Sequence, residues 1–187
     1  MTLPNILTLF RFALVPCFLY ASLREMWVVA FVIFVTAAVT DVLDGALARW
    51  LNLRSRLGAF LDPAADKTLM VCGFLFYTFD RHVPLVRIPG WLTFVVFIRD
   101  FLIILFAYLL YTRVQVKRFP PSWAGKASTG LQALTLATTI AVNAFLPVLL
   151  GFAHALFRIS LVVTLYSAWD YLRRGERLLD ERLAASA

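Results

Sequence analysis

Long apolar runs separated by short polar segments dominate this sequence. Six runs approach the roughly 20 residues that a membrane-spanning helix requires, over 6–23, 27–48, 62–79, 89–112, 124–147 and 149–171. Helices are the spanning elements that satisfy their own backbone hydrogen bonds within a bilayer. The pattern therefore predicts an all-α, polytopic membrane protein, in which residues 1–187 form a single domain built as a six-transmembrane-helix bundle.

The composition agrees with this class of protein. Of the 187 residues, 61% are hydrophobic and 16% are charged, whereas about a quarter of the residues of a soluble domain are charged. The net charge is +7, but the basic residues cluster at the ends of apolar runs instead of forming one basic patch. We therefore expect membrane lipids, and not nucleic acid, as the partner of these charges.

The basic residues divide unequally between the two predicted faces of the membrane. One face receives Arg24, Arg81 and Arg87. The opposite face receives Arg49, Arg54, Arg56, Lys67, Arg113, Lys117, Arg118, Lys126, Arg173, Arg174, Arg177 and Arg182. Because cytoplasmic segments are enriched in Lys and Arg, both termini are expected in the cytoplasm. As a separate expectation, the membrane is a bacterial inner membrane.

Four carboxylates interrupt the apolar pattern on that same cytoplasmic side. Asp41 and Asp44 lie three residues apart, and Asp62 and Asp66 lie four apart, so each pair shares one face of a helix. If the two helices pack together, the four acids converge and need a cation to offset their repulsion. Hard carboxylate oxygens favour Mg²⁺, Mn²⁺ or Ca²⁺ over zinc. A structural alternative for one of them is that Asp62 caps a helix that begins at Pro63.

These acids belong to a longer pattern, D-x2-D-G-x2-A-R-x8-G-x3-D-x3-D. Its fixed positions are Asp41, Asp44, Gly45, Ala48, Arg49, Gly58, Asp62 and Asp66. The pattern resembles the signature of the CDP-alcohol phosphotransferases, which are integral membrane enzymes of phospholipid biosynthesis. The resemblance extends to the opening residues 4–8 and to the number of predicted helices, so it covers most of the chain.

This resemblance implies an enzyme that transfers a phosphatidyl group from CDP-diacylglycerol to an alcohol and releases CMP. It implies that Asp41, Asp44, Asp62 and Asp66 hold two divalent ions, Mg²⁺ or Mn²⁺, and that Asp66 also accepts the proton of the acceptor hydroxyl. It also implies a homodimer. The further substrate-binding positions that it implies are Asn5, Thr8, Gly45, Arg49, Ser55 and Gly58.

Two cationic residues are additional candidates for substrate binding. Arg99 lies beside Asp100 within the fourth run, where it could contact an anionic substrate group or form a charge-compensating pair. Because adjacent residues diverge on a helix, we expect each to have its own partner. Lys126 opens the fifth run, where a helix N-terminus suits a phosphate, although an ordinary positive-inside lysine fits equally well.

The identity of the acceptor stays open between two glycerol-type molecules. Residues 4–8 and 61–67 resemble phosphatidylglycerophosphate synthases, which use glycerol 3-phosphate. The pair Arg99-Asp100, Lys126 and Tyr166-Ser167 are more similar to CMP-forming cardiolipin synthases, which use phosphatidylglycerol. Inositol phosphate or serine is a further alternative. In a different class, a small membrane transporter would use intramembrane charges to line a pathway, but these acids gather near one side.

Overall fold

The computed structural model describes the backbone of residues 3–50, 56–114 and 122–186, and the side chains of 10–41, 67–106, 108, 112 and 122–175. Within these ranges the helices are the only regular secondary structure, and the segments between them are short loops. The helices are α1 (Leu3–Leu23), α2 (Trp27–Trp50), α3 (Arg56–Phe79), α4 (Gly90–Val114), α5 (Trp123–Ala144) and α6 (Leu150–Ser186). A 3-10 turn, Pro147–Leu149, precedes α6. Each predicted run thus corresponds to one helix, which confirms the all-α class.

The membrane-spanning prediction is met in part. In the portion with described side chains, Pro147–Gly175 is the one helical stretch that is both long and apolar enough to cross a membrane. Only 28% of its apolar window is buried. Shorter apolar stretches occupy Phe10–Leu23, Trp27–Asp41 and Lys67–Phe79, and each borders residues whose side chains are not described.

Two helices begin or end well away from the predicted positions. Helix α3 begins at Arg56, so Asp62 and Pro63 lie inside it, and the interpretation of Asp62 as an N-cap is wrong. A proline removes one backbone donor, and helices in apolar surroundings can continue through it, as α1 does at Pro16. Helix α6 continues past the predicted end at 171, because its last turns are rich in Leu, Arg, Glu and Ala, which favour helix.

The first of two compact units comprises Met1–Ile88 and Leu136–Ala153. In this unit α1 packs against both α2 and α3. Aromatic rings fill the contact: Phe18 lies 6.1 Å from Phe34 of α2 and 6.4 Å from Tyr77 of α3, measured between centroids. Helix α1 therefore holds together the unit that contains all four predicted acids.

A single amide fastens the loop after α3 to the end of α5 within this unit. The Asn143 Oδ1 atom accepts hydrogen bonds from the backbone N–H groups of Leu85 (2.9 Å) and Val86 (3.2 Å). Its Nδ2 donates to the carbonyl oxygens of Val86 and Thr139, both at 2.8 Å. The buried side chain thus uses both amide protons and accepts twice, which is its full capacity.

The second unit comprises Pro89–Thr135 and His154–Ala187, and polar side chains join α5 to α6 in it. The hydroxyls of Ser128 and Thr164 lie 3.2 Å apart, and Gln132 Nε2 donates to both. One turn further along, the hydroxyls of Thr135 and Ser160 lie 2.6 Å apart. All five side chains are buried. Small, hydrogen-bonding residues of this kind are typical of contacts between helices in membranes.

Candidate active site

The two predicted acid pairs lie on two helices of the first unit. Asp41 and Asp44 lie towards the end of α2, and Asp62 and Asp66 lie in the first half of α3. Helical spacing therefore places each pair on one helix face, as predicted. The Asp41 side chain is described, whereas those of Asp44, Asp62 and Asp66 lie outside the described residues. The convergence of all four acids stays a prediction.

Asp41 is bound by a residue that the sequence reasoning did not single out as functional. Arg11 of α1 places its Nη1 atom 2.6 Å from Asp41 Oδ1. The Arg11 side chain is 1% exposed, whereas that of Asp41 is 42% exposed. The guanidinium is thus enclosed by the protein, and the carboxylate that it binds reaches the surface. An arginine within an apolar helix was the available signal, because such a charge needs an anionic partner.

The hydroxyls that precede Asp41 on α2 are engaged by their own helix. Thr40 Oγ1 donates to the carbonyl oxygens of Thr36 and Ala37, each at 2.9 Å, and Thr36 Oγ1 donates to that of Val32 at 2.7 Å. At this point of α2, a carboxylate oxygen of Asp41 is therefore the group best suited to a hard cation.

Several predicted substrate-binding positions can be placed on an element but not described further. Asn5 and Thr8 lie on α1, ahead of Arg11; Gly45 and Arg49 lie on α2; and Gly58 lies on α3. Their side chains lie outside the described residues, and Ser55 lies in the undescribed segment between α2 and α3. Their contacts with substrate stay predictions.

Arg99 lies on α4, in the second unit, and is bound on two sides by protein groups. Its Nη1 atom lies 2.8 Å from Asp100 Oδ1, and its Nη2 donates to Ser167 Oγ of α6 at 2.6 Å. The residue is 6% exposed, and its guanidinium carbon lies 5.9 Å from the centre of the Tyr171 ring. Arg99 therefore compensates the charge of Asp100 and has a second protein partner in Ser167. Its contact with an anionic substrate group stays a prediction.

Lys126 lies in the first turn of α5, as predicted. Ser122 caps this helix, because its buried Oγ accepts the N–H of Gly125 at 2.9 Å. The Lys126 Nζ atom lies 5.7 Å from the centre of the Trp123 ring, and Trp123 is 84% exposed. An exposed lysine beside an exposed tryptophan is typical of the membrane interface.

A comparison with protein families decides the classification of this chain. The model of the family described as CDP-alcohol phosphatidyltransferase matches residues 1–166. The chain belongs to this family. The matched residues include both acid pairs and also include Arg11 and Arg99. The match confirms the resemblance that the motif indicated.

Individual relatives of the CDP-alcohol phosphatidyltransferase family carry two kinds of name. A cardiolipin synthase (CMP-forming) of Rattus norvegicus is 30% identical over 94% of this chain, which spans only 62% of that relative's length. A probable phosphatidylglycerophosphate synthase of Mycobacterium tuberculosis is 32% identical over 94% of this chain and 82% of its own length. A CDP-diacylglycerol–glycerol-3-phosphate 3-phosphatidyltransferase of Shigella flexneri is 35% identical over 96% of this chain and 98% of its own length.

The donor chemistry of the acids fits the divalent metal on which this family of transferases generally depends. Carboxylate oxygens are the ligands that Mg²⁺ and Mn²⁺ prefer, and Asp41 offers a surface-accessible carboxylate. Among the side chains that the structure describes, no cluster of three or more His, Cys, Asp or Glu occurs. The remaining three acids of the motif lie outside that set.

Proposed function

We propose that this protein transfers the phosphatidyl group of CDP-diacylglycerol to a glycerol-type acceptor, either glycerol 3-phosphate or phosphatidylglycerol. The family match over residues 1–166, which includes an intact pair of acids on each of two helices, carries this proposal. The names of the relatives support a glycerol-type acceptor over inositol phosphate or serine.

In the proposed site, Asp41, Asp44, Asp62 and Asp66 hold two divalent ions, Mg²⁺ or Mn²⁺. Bound ions supply positive charge that offsets the diphosphate and the departing CMP. Asp66 also accepts the proton of the acceptor hydroxyl while the hydroxyl oxygen of the acceptor bonds to the phosphatidyl phosphorus. The bond from that phosphorus to the bridging oxygen breaks, and CMP leaves with the electron pair. Arg49 binds a phosphate oxygen of the donor.

The remaining candidates divide between donor and acceptor. Asn5, Thr8, Gly45, Ser55 and Gly58 are proposed to surround the CDP part of the donor, with the two glycines allowing close approach of the backbone. Arg99 and Lys126 are proposed for the phosphate of the acceptor. Of these two, exposed Lys126 is the more accessible, because the Nη atoms of Arg99 already bind Asp100 and Ser167.

We also propose that all six helices span a membrane as parts of one domain. Helices α1 to α5 contain 21 to 25 residues each. At about 1.5 Å per residue, such helices cross a hydrocarbon layer of roughly 30 Å. On α2, Val28, Val32, Val35 and Val39 form one exposed apolar face, which suits contact with lipid. A bacterial inner membrane, cytoplasmic termini and a homodimer complete the proposal.

The direct test is a transfer assay on the purified full-length protein in lipid nanodiscs. Radiolabelled CDP-diacylglycerol is supplied with glycerol 3-phosphate, phosphatidylglycerol, inositol phosphate or serine, and both CMP and the lipid product are measured. We expect CMP release with one glycerol-type acceptor, dependent on Mg²⁺ or Mn²⁺. Full activity in excess chelator would contradict the metal mechanism. Absence of CMP with every acceptor would contradict the proposed reaction. It would favour the alternative function, a small membrane transporter.

A further inference from the structure

The contact between Arg11 and Asp41 has a consequence for the proposed metal site. We propose that Arg11 is a positioning residue, which fixes the carboxylate of Asp41 in the orientation that binds a divalent cation. This inference rests on the proposed function, because it assumes that Asp41 is a metal ligand. It assigns Arg11 a role that acts through Asp41 and requires no contact with the substrate.

The burial of the two partners supports positioning. A guanidinium that is 1% exposed has lost nearly all of its water, so it depends on protein acceptors such as the Asp41 carboxylate. The carboxylate is 42% exposed and therefore keeps access to solvent and to ions. Arg11 thus holds one oxygen of Asp41, while the Asp41 side chain keeps contact with solvent.

The geometry of the contact points the same way. The salt bridge joins one nitrogen, Nη1, to one oxygen, Oδ1, across 30 positions of sequence. Because α1 packs against both α2 and α3, a side chain anchored in α1 is fixed relative to both acid-bearing helices. Carboxylates that ligate metals are commonly held by such a second hydrogen bond, and losing it typically weakens metal binding by about 10- to 100-fold.

Positioning and simple charge compensation make opposite predictions for metal affinity. If Arg11 only neutralised Asp41, its removal would make the site more negative, and divalent cations would bind more tightly. If Arg11 orients Asp41, its removal frees the carboxylate to rotate, and cations bind more weakly in spite of the extra negative charge. The sign of the change therefore separates the two roles.

The test measures Mn²⁺ binding to the full-length protein in nanodiscs by electron paramagnetic resonance, without any substrate. We expect R11M to raise the Kd for Mn²⁺ by about 10-fold or more. R11K should recover part of the affinity, because a single nitrogen makes the contact with Asp41. The matched control is R158M, since Arg158 is an exposed arginine of α6, and its Kd should equal that of the wild type.

A double-variant cycle shows whether Arg11 acts through Asp41 or merely supports the fold. D41N should lower Tm, because it removes a negatively charged partner of a buried guanidinium, and R11M/D41N should recover part of that loss. In the D41N background, R11M should leave the Kd for Mn²⁺ unchanged. A purely structural Arg11 would weaken Mn²⁺ binding equally in both backgrounds, which would overturn the inference.

Failure of this inference is distinguishable from failure of the proposed function. If the wild type binds Mn²⁺ and releases CMP, but R11M binds Mn²⁺ as tightly or more tightly, only the positioning role is wrong. If the wild type binds no divalent cation, both are wrong.

Discussion

At the scale of single residues, a substitution of Asp66 should slow the transfer step while largely preserving binding of the donor. The D66N variant keeps the size of the side chain but cannot accept the proton of the acceptor hydroxyl. We expect kcat to fall by about 100-fold or more, while the Kd for CDP-diacylglycerol changes by only a few fold. CMP release measures the first quantity, and equilibrium binding of radiolabelled donor measures the second.

The matched control for this substitution is D170N on α6. Asp170 accepts a hydrogen bond from Arg174 Nε at 3.1 Å, and an i,i+4 ion pair of this kind contributes little to stability. We expect D170N to keep the wild-type kcat. A near-normal transfer rate in D66N would remove the assignment of Asp66 as the base.

Asn143 is the residue whose loss should affect stability and not chemistry. An N143L variant fills a similar volume but leaves the N–H of Val86 and the carbonyl oxygen of Val86 without their side-chain partner. Because unsatisfied buried groups each cost about 1–3 kcal/mol, we expect the free energy of unfolding to fall by about 2–4 kcal/mol. Chemical denaturation in detergent measures this change.

N143D provides a second comparison for that prediction. It retains the acceptor for the N–H groups of Leu85 and Val86 but loses the donor to the carbonyl oxygen of Val86. Because the buried carboxylate would also face the carbonyl oxygens of Val86 and Thr139 without a donor, its loss of stability should be at least as large as that of N143L. Equal stability of N143L and the wild type would show that the loop does not depend on this amide.

The sequence can predict functional residues where their spacing pattern lies within a single helix. The acids were identified from their spacing of three and four residues, which is a property of a single helix. Arg11 was missed as a partner of Asp41 because the two are 30 positions apart, on different helices. The packing of Phe18 against Phe34 determines which face of α1 contacts α2. The spacing of apolar residues within a single helix does not predict such a contact.

At the scale of elements, the C-terminal end of α1 contains a residue with a strained backbone. Glu25 adopts a left-handed backbone with φ of 58°. The N–H of Glu25 bonds the carbonyl oxygen of Ser22 (3.0 Å), and that of Met26 bonds the carbonyl oxygen of Ala21 (2.9 Å). These two bonds form a Schellman cap. Glycine is preferred at the left-handed residue of such a cap, here Glu25, because it lacks a Cβ.

E25G should therefore stabilise the protein. Relief of the left-handed strain gains about 1–2 kcal/mol, and the extra freedom of glycine in the unfolded chain costs about 0.4–1 kcal/mol. The expected net gain is about 0.5–1 kcal/mol, seen as a higher Tm. E25A is the control, because alanine keeps the Cβ and should give no such gain. A Tm for E25G below that of the wild type would show that the Glu25 side chain contributes more than the strain costs.

Helix existence was predictable from the apolar runs, whereas helix ends depended on particular residues. Helix α5 stops at Ala144 and not at the predicted 147, and Pro147 instead begins the 3-10 turn that precedes α6. The N–H groups of Phe145 and Leu146 both return to the carbonyl oxygen of Ala141 at 2.9 Å, which closes the helix. The start of α3 was missed because Pro63 resembled a first helical residue, although the helix continues through it.

At the scale of the whole molecule, the distribution of apolar side chains argues for lipid contact. Large apolar residues such as Phe94, Phe101 and Ile104 on α4, and Val162 and Leu165 on α6, are exposed. Exposed apolar side chains in such number would promote aggregation in water but suit the acyl chains of a bilayer. In the proposed reaction, a membrane location would let CDP-diacylglycerol keep its acyl chains in the bilayer while its head group reaches the acids.

The proposed orientation of the chain in a membrane rests on the basic residues and can be tested directly. In a C17S/C72S background, R81C reports the loop after α3 and A187C reports the C-terminus. Because Lys and Arg favour the cytoplasmic side, an impermeant maleimide should label R81C in intact spheroplasts, and A187C only after permeabilisation. The unsubstituted background should stay unlabelled. Labelling of A187C in intact spheroplasts would place the C-terminus outside and separate the acids from the cytosolic pool into which CMP should be released.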